Sequence, residues 1–175
     1  MRLFNLLLIG MLTASLSADA QTKAASADEI LQPVYAKATK ENKNVLVIFH
    51  ASWCGWCRKM DSSLHDKVVQ PLIDKHYEIA HLVVYESPNK KELENPGALE
   101  LLTKHGGDDK GLPYWFVLDK NGNKLADSQY KPGENTGCPA SEEEVAHFIN
   151  VLKKTSSLKE EKLKLIEKRF RKNEQ

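Results

Sequence analysis

The chain has 175 residues and a formal net charge of +1 at pH 7. That length suits one domain with a real core, and the near-zero charge gives no electrostatic case for nucleic acid or for an anionic membrane surface. Three cysteines are too few for a disulfide-stapled mini-fold, and the odd count leaves one unpaired or shared.

The N-terminus reads as an export signal. Arg2 supplies a positive start, Leu3 to Leu12 a short apolar core, and Ala18 and Ala20 the small residues that a signal peptidase needs. The apolar run is too short to span a bilayer comfortably, and no cysteine stands at the junction for lipid attachment. Residues 1–20 are therefore expected to be cleaved before Gln21. The mature protein would be periplasmic or secreted, without stable membrane insertion, in a compartment where disulfides persist. Residues 21–26 read as a polar linker, 27–155 as the folded domain, and 156–175 as a C-terminal amphipathic helix.

Ser26 and Glu29 have the spacing of a capping box. Ile30, Leu31, Val34, Tyr35 and Ala38 follow at helical intervals. Pro33 is accommodated if the regular helix starts near Gln32. Asn44 to His50, "NVLVIFH", is a continuous apolar run rich in β-branched residues, as expected of a strand buried on both faces. A helix should begin at the cysteines and run through "CRKMDSSLHDKVVQPLIDKH", kinked or broken at Pro71. Glu78 to Glu86 reads as a second strand, and "SPNKKELEN" as a polar loop. Asn95-Pro96 reads as a helix cap and first-turn proline, with glycines at 106 and 107 ending that helix.

Tyr114 to Asp119 is a third strand, joined through the Asn121-Gly122 turn to a return strand at Lys124 to Asp127. Ser141 and Glu144 form a second capping box, ahead of an apolar face at Val145, Phe148, Ile149 and Leu152. Ser157 and Glu160 suggest a third, opening a charged amphipathic helix whose end is expected to fray. Its charges read as a solvated face. The element order implies a mixed α/β sheet, parallel between the early strands and antiparallel at the hairpin, with helices on both faces.

The chemistry centres on "HASWCGWCRKMD", His50 to Asp61. Two cysteines at this spacing can be an exchanging disulfide, a metal clip or a static staple. A closed soft-metal site needs about four ligands, usually two close cysteine pairs. Here only Cys138 and scattered histidines stand beside Cys54 and Cys57. The metal-binding module is thus the lesser alternative, and no metal or cofactor is expected.

"VLVIFHASWCGWCRKM" resembles the active-site strand, loop and helix start of the thioredoxin superfamily, and within it exported bacterial thioredoxin-like proteins. "GLPYWFVLD", Gly111 to Asp119, is similar to the family loop in which a cis-proline opens a strand. The likeness spans about Ile30 to Leu152. It implies a thioredoxin-like fold and a protein thiol–disulfide oxidoreductase, with Cys54 attacking and Cys57 resolving. It also assigns the cis role to Pro113 and implies that Trp56, Leu112 and Pro113 meet the substrate.

The residues agree with that reading. A helix start favours a thiolate at Cys54 through unpaired N–H groups and the helix dipole. Cys54 is expected exposed and Cys57 shielded. Trp53 either flanks the sulfurs with Trp56 or packs in the core. With no histidine or charge between the cysteines, a reductase is expected over an oxidase. Its partners would be protein disulfides and a membrane thiol electron donor. One position departs from the family: the buried aspartate six residues before the first cysteine is Ile48 here. Two auxiliary residues are candidates. His50 is either a proton carrier or a structural histidine, and Cys138 either a third thiol near the pair or a buried, inert one.

Overall fold

The computed structural model describes residues 23–174. The signal-peptide reading and the first two linker residues lie outside them. The first helix, α1, spans Ala27–Glu41. Its capping box is formed, with Ser26 accepting from the Glu29 N–H and the Glu29 carboxylate accepting from the Ser26 N–H. Pro33 lies inside this helix, not in its first turn as expected. It is exposed, so the helical bond it cannot make leaves a carbonyl facing water.

Strand β1 (Asn44–His50) is the centre of the fold. It pairs in parallel with β2 (Tyr77–Val83) and antiparallel with β3 (Tyr114–Leu118), and β3 pairs antiparallel with β4 (Lys124–Asp127). The sheet order is β2-β1-β3-β4. The mixed α/β sheet expected from the element order is thus present. Successive side chains of a strand alternate between faces, and the burial follows that rule. Leu46 and Ile48 of β1, with Trp115 and Val117 of β3, face one core. Val45, Val47 and Phe49, with Tyr114, Phe116 and Leu118, face the other. Each such fully buried side chain contributes on the order of 1.5–3 kcal/mol from apolar burial.

The helix after the cysteines divides in two. The first part, α2, is Gly55–Leu64, and the second, α3, is Gln70–Asp74. The break precedes Pro71, which sits in the first turn of α3 instead of kinking a longer helix. β2 starts at Tyr77 and stops at Val83, short of the expected Glu86, because Tyr85 turns the chain with φ of 55°. Pro88–Leu93 forms a 3-10 segment. The next helix, α4 (Ala98–Lys104), is capped by Gly97, not Asn95. Asn95 has other work: its side chain accepts from the Val83 N–H and donates to the Ala25 carbonyl. The glycine stop is as expected. The Gly106 N–H bonds the Thr103 carbonyl and the Gly107 N–H that of Leu102, the double closure of a Schellman motif.

After β4 a small hairpin, β5 (Gln129–Lys131) and β6 (Glu134–Asn135), was not foreseen in the sequence. The second capping box is formed at Ser141 and Glu144, opening α5 (Glu142–Thr155). The third is not. The last helix, α6 (Glu160–Phe170), starts after Lys159 without a side-chain cap. Nor does its end fray: Phe170 is buried against Phe148, and the chain continues as a 3-10 turn, Arg171–Glu174, that buries Asn173. One core face carries α1 and α4, and the other carries α2, α3, α5 and α6. Among the described residues no helix is long and apolar enough to cross a membrane.

The buried Gly107 leaves no room for a side chain. A Cβ there would lie 2.3 Å from Leu102 Cδ1 and 2.6 Å from Tyr114 Cδ1, and both neighbours are fully buried. Gly107→Ala is expected to lower unfolding free energy by about 1–3 kcal/mol through overpacking. Urea unfolding of both proteins measures this, and an unchanged midpoint would contradict it.

Candidate active site

The end of β1 fixes where the cysteines sit. Beyond His50 the chain turns, the Cys54 N–H bonds the Ala51 carbonyl, and Cys54 becomes the N-cap of α2. Its Sγ accepts the Cys57 N–H at 3.1 Å. The two sulfurs are joined, S–S 1.98 Å, as the spacing of one helical turn allows. Both cysteines are only 3% exposed, so the exposure expected of Cys54 is absent from the closed disulfide. Sulfur is covered by Ala51 and by Leu112, which packs against the pair.

Leu112 belongs to the second predicted element. The Leu112–Pro113 peptide bond is cis, as the likeness of "GLPYWFVLD" implied. The residue that holds this loop was missed. The Asn135 side-chain amide donates to the carbonyls of Lys110 (3.0 Å), Gly111 (3.2 Å) and Pro113 (3.0 Å), while its Oδ1 accepts the Gly137 N–H. Three carbonyls thus share the two hydrogens of one amide. The turn-rich "PGENTG" around it was the available signal, but turn composition alone does not name a partner. The Trp115 indole adds a bond to the Gly137 carbonyl at 2.9 Å. A cavity of about 310 Å³ opens beside this loop, with Trp56, Leu112, Thr136 and Cys138 in its wall. The Thr136 hydroxyl is buried there without a hydrogen-bond partner in the described structure.

Trp53 and Trp56 are 57% and 49% exposed, which rules out core packing for Trp53. Its indole N–H is held by the Tyr85 carbonyl at 2.8 Å. The loop between β1 and α2 is also tied to Glu86, a buried carboxylate that accepts from both the Ser52 N–H and hydroxyl. Burial pushes the Glu86 carboxyl upward, but the Ser52 bonds, together with Lys90 and the Ser87 N–H, hold it below the usual range.

The remaining predicted residues lie around this centre. His50 is half-buried, its ring edge-on to His81 at 5.4 Å, and His81 Nε2 meets Asp61 of α2 at 3.0 Å. Burial first, then the neighbouring His81, lower the His50 pKa. Ile48 is fully buried in the core under α2, so the family's aspartate position carries no charge. Cys138 is buried, and the Asn173 amide donates to its sulfur at 3.3 Å. Burial pushes its thiol up to about 12. Among the described residues, no three His, Cys, Asp or Glu side chains converge as metal ligands.

The C-terminal extension is the amphipathic helix expected, and beyond burying its apolar face it braces the site. The Asn173 carbonyl accepts Lys59 Nζ at 2.9 Å, and its Oδ1 accepts the Ser63 hydroxyl at 3.0 Å, both from α2. Arg169 pairs with Asp66 at 3.3 Å and bonds the Ser62 hydroxyl. Arg171 bonds the Ala140 carbonyl. Lys59 Nζ also lies 4.6 Å from the centre of the Trp56 ring, within cation–π range.

A family model described as thioredoxin-like matches residues 31–120. No curated protein matches the chain. Among solved structures, the chain is similar to a disulphide isomerase from Xylella fastidiosa Temecula1 at 26% identity and TM-score 0.46, covering 67% of this chain and 79% of that one. It is similar to DsbH oxidoreductase at 20% identity and TM-score 0.45, covering 80% and 94%. The C-terminal domain of DsbD from Neisseria meningitidis, in the oxidised form, matches at 20% identity and TM-score 0.43, covering 59% and 83%. With its family match over more than half its length, its Cys-Gly-Trp-Cys disulfide at a helix start and its cis-proline loop, this chain belongs to the thioredoxin-like family.

Proposed function

We propose that this chain is an exported protein thiol–disulfide oxidoreductase that works as a reductase. The observation that carries the reading is the placement of Cys54: N-cap of α2, its sulfur accepting the Cys57 N–H, with the Leu112 side chain of the cis-proline loop packed on the pair. Export rests on the leader read at residues 1–20.

In the reduced chain the Cys54 thiolate attacks one sulfur of a substrate disulfide. The other substrate sulfur leaves as a thiolate and takes up a proton. Cys57, once deprotonated, attacks Cys54 Sγ and releases the second substrate thiol. Two electrons and two protons pass to the substrate, and the chain is left as the Cys54–Cys57 disulfide. A dithiol donor must then reverse the second half, and a membrane thiol relay is the donor we propose. The chemistry needs only sulfur, so no cofactor enters. The helix start supports the first step, because its N–H groups stabilise a charged sulfur. Backbone groups of Leu112 would pair with an extended substrate segment, with Pro113 shaping that loop and Trp56 offering an exposed apolar contact. The reductive direction is supported by Gly55-Trp56, which put no charge or histidine between the cysteines.

With dithiothreitol as electron source, the chain is expected to accelerate reduction of insulin disulfides, and Cys54→Ser to return the rate to background. Cys57→Ser should instead accumulate mixed disulfides through Cys54 when placed in a periplasmic extract. Adducts forming on Cys57 of the Cys54→Ser variant at equal yield would overturn the assignment of roles. Cell fractionation showing an uncleaved cytoplasmic chain would overturn export.

We read His50 and Cys138 as structural. The ring of His50 is taken up by His81. Cys138 is 3% exposed and hydrogen-bonded to Asn173, with its thiol far from ionising near neutral pH. Iodoacetamide at about pH 8 is accordingly expected to alkylate Cys54 of the reduced native chain and leave Cys138 unmodified until urea is added. Labelling of Cys138 in the native chain at the rate of Cys54 would make it a third working thiol.

A further inference from the structure

A second cavity, of about 610 Å³, lies on the outer side of α2, and its wall begins at Gly55, next to Cys54. Arg58, Lys59 and Ser62 of α2 face Arg169 and Lys172 of the C-terminal extension across it. Among the described residues, four cations and no carboxylate line the space. The whole chain carries a net charge of only +1, so this is a local concentration of charge and not a general property of the surface.

The cations are held in place. Arg58 Nη1 donates to the Ser52 carbonyl at 3.1 Å, a neutral acceptor that fixes the side chain without cancelling its charge. Lys59 is fixed by the Asn173 carbonyl and lies over Trp56. Arg169 is ion-paired to Asp66 outside the cavity wall. Lys172 is exposed. The Asp66 carboxyl is held low first by the Val68 N–H, and Arg169 and Lys172 add to that effect.

The shape argues for a segment of chain and not a single small anion. Gly55 to Ser62 is seven helical steps, so at 1.5 Å per step the α2 side of the cavity is about 10 Å long. That is the reach of about three residues of extended peptide.

We infer that this cavity is an anion-binding docking site that seats an acidic segment, about three consecutive Glu or Asp residues, of the protein that exchanges disulfides with Cys54. It rests on the reductase reading for its purpose, but not for its test. The C-terminal extension, which lies beyond the family match, supplies two of the four cations. Opposite charge facing the cavity raises encounter rate and fixes orientation beside the sulfurs.

The test is fluorescence anisotropy with the oxidised full chain, which cannot reduce the probe. The probes are a fluorescein-labelled peptide with three consecutive Glu residues and its Gln and Lys counterparts. At low ionic strength the Glu peptide is expected to bind about tenfold more tightly than the Gln peptide, and the difference to vanish at about 0.5 M salt. Lys172→Glu, at an exposed position, should erase the preference. Lys40→Glu on α1 makes the same charge change away from the cavity and should leave it standing. Equal binding of the Glu and Gln peptides overturns the inference. So does a preference that Lys172→Glu and Lys40→Glu reduce alike. Displacement of the Glu peptide by an equal concentration of citrate would assign the site to small anions and overturn the segment reading. Insulin turnover is read separately, and its failure would count against the reductase reading while peptide binding still decides this one.

Discussion

The site depends on a strand that has no freedom to slip. β1 is buried on both faces and hydrogen-bonded on both edges, parallel to β2 and antiparallel to β3. A shift of one residue would exchange Leu46 and Ile48 with Val45, Val47 and Phe49 between two separately packed cores. With the register fixed, the chain leaves the sheet at His50, and Cys54 starts α2. The pairing with β3 also brings Leu112, just before that strand, onto the same end of the sheet. The disulfide and the cis-proline loop meet because one strand pairs with both of their supporting elements.

That much was legible in the sequence, because the signals were local. "NVLVIFH" is apolar without interruption, the cysteines follow at the expected distance, and "GLPYW" marks the loop before the next strand. The two real capping boxes likewise need only residues three apart. Failures came where a local pattern had a tertiary competitor. Asn95 looked like a helix cap, but its side chain is engaged by Val83 and Ala25, leaving Gly97 to open the helix. Ser157 and Glu160 had the capping spacing, yet the helix begins after Lys159. Pro33 was expected in the first turn of a helix starting near Gln32, and water at an exposed face lets it sit inside.

The C-terminal extension was hidden for a different reason. Its charges suggested a solvated surface, and Leu163, Ile166 and Phe170 gave only a narrow apolar stripe. What ties it down is Asn173, whose one side chain and carbonyl reach Lys59, Ser63, Cys138 and Pro139. An asparagine among lysines and glutamates near the end of the chain carries no sign of this. Buried polar groups find partners as a rule, but the partners here lie 34 to 114 positions away. The site therefore has two layers. One is the disulfide and its loop, which the family pattern spells out. The other is an outer brace that only the folded chain reveals.

Asn135 has a consequence for how such a site can change. It holds the loop ahead of β3 through the carbonyls of Lys110, Gly111 and Pro113, never through their side chains. The shape of the loop is thus encoded at a distance, on a hairpin after β4. Replacing Lys110 or Leu112 alters what the loop presents without removing any of these bonds. Shape and chemical preference are stored at separate positions. A lineage, or an engineer, can therefore vary the presented side chains one at a time while the scaffold beside the sulfurs stays the same.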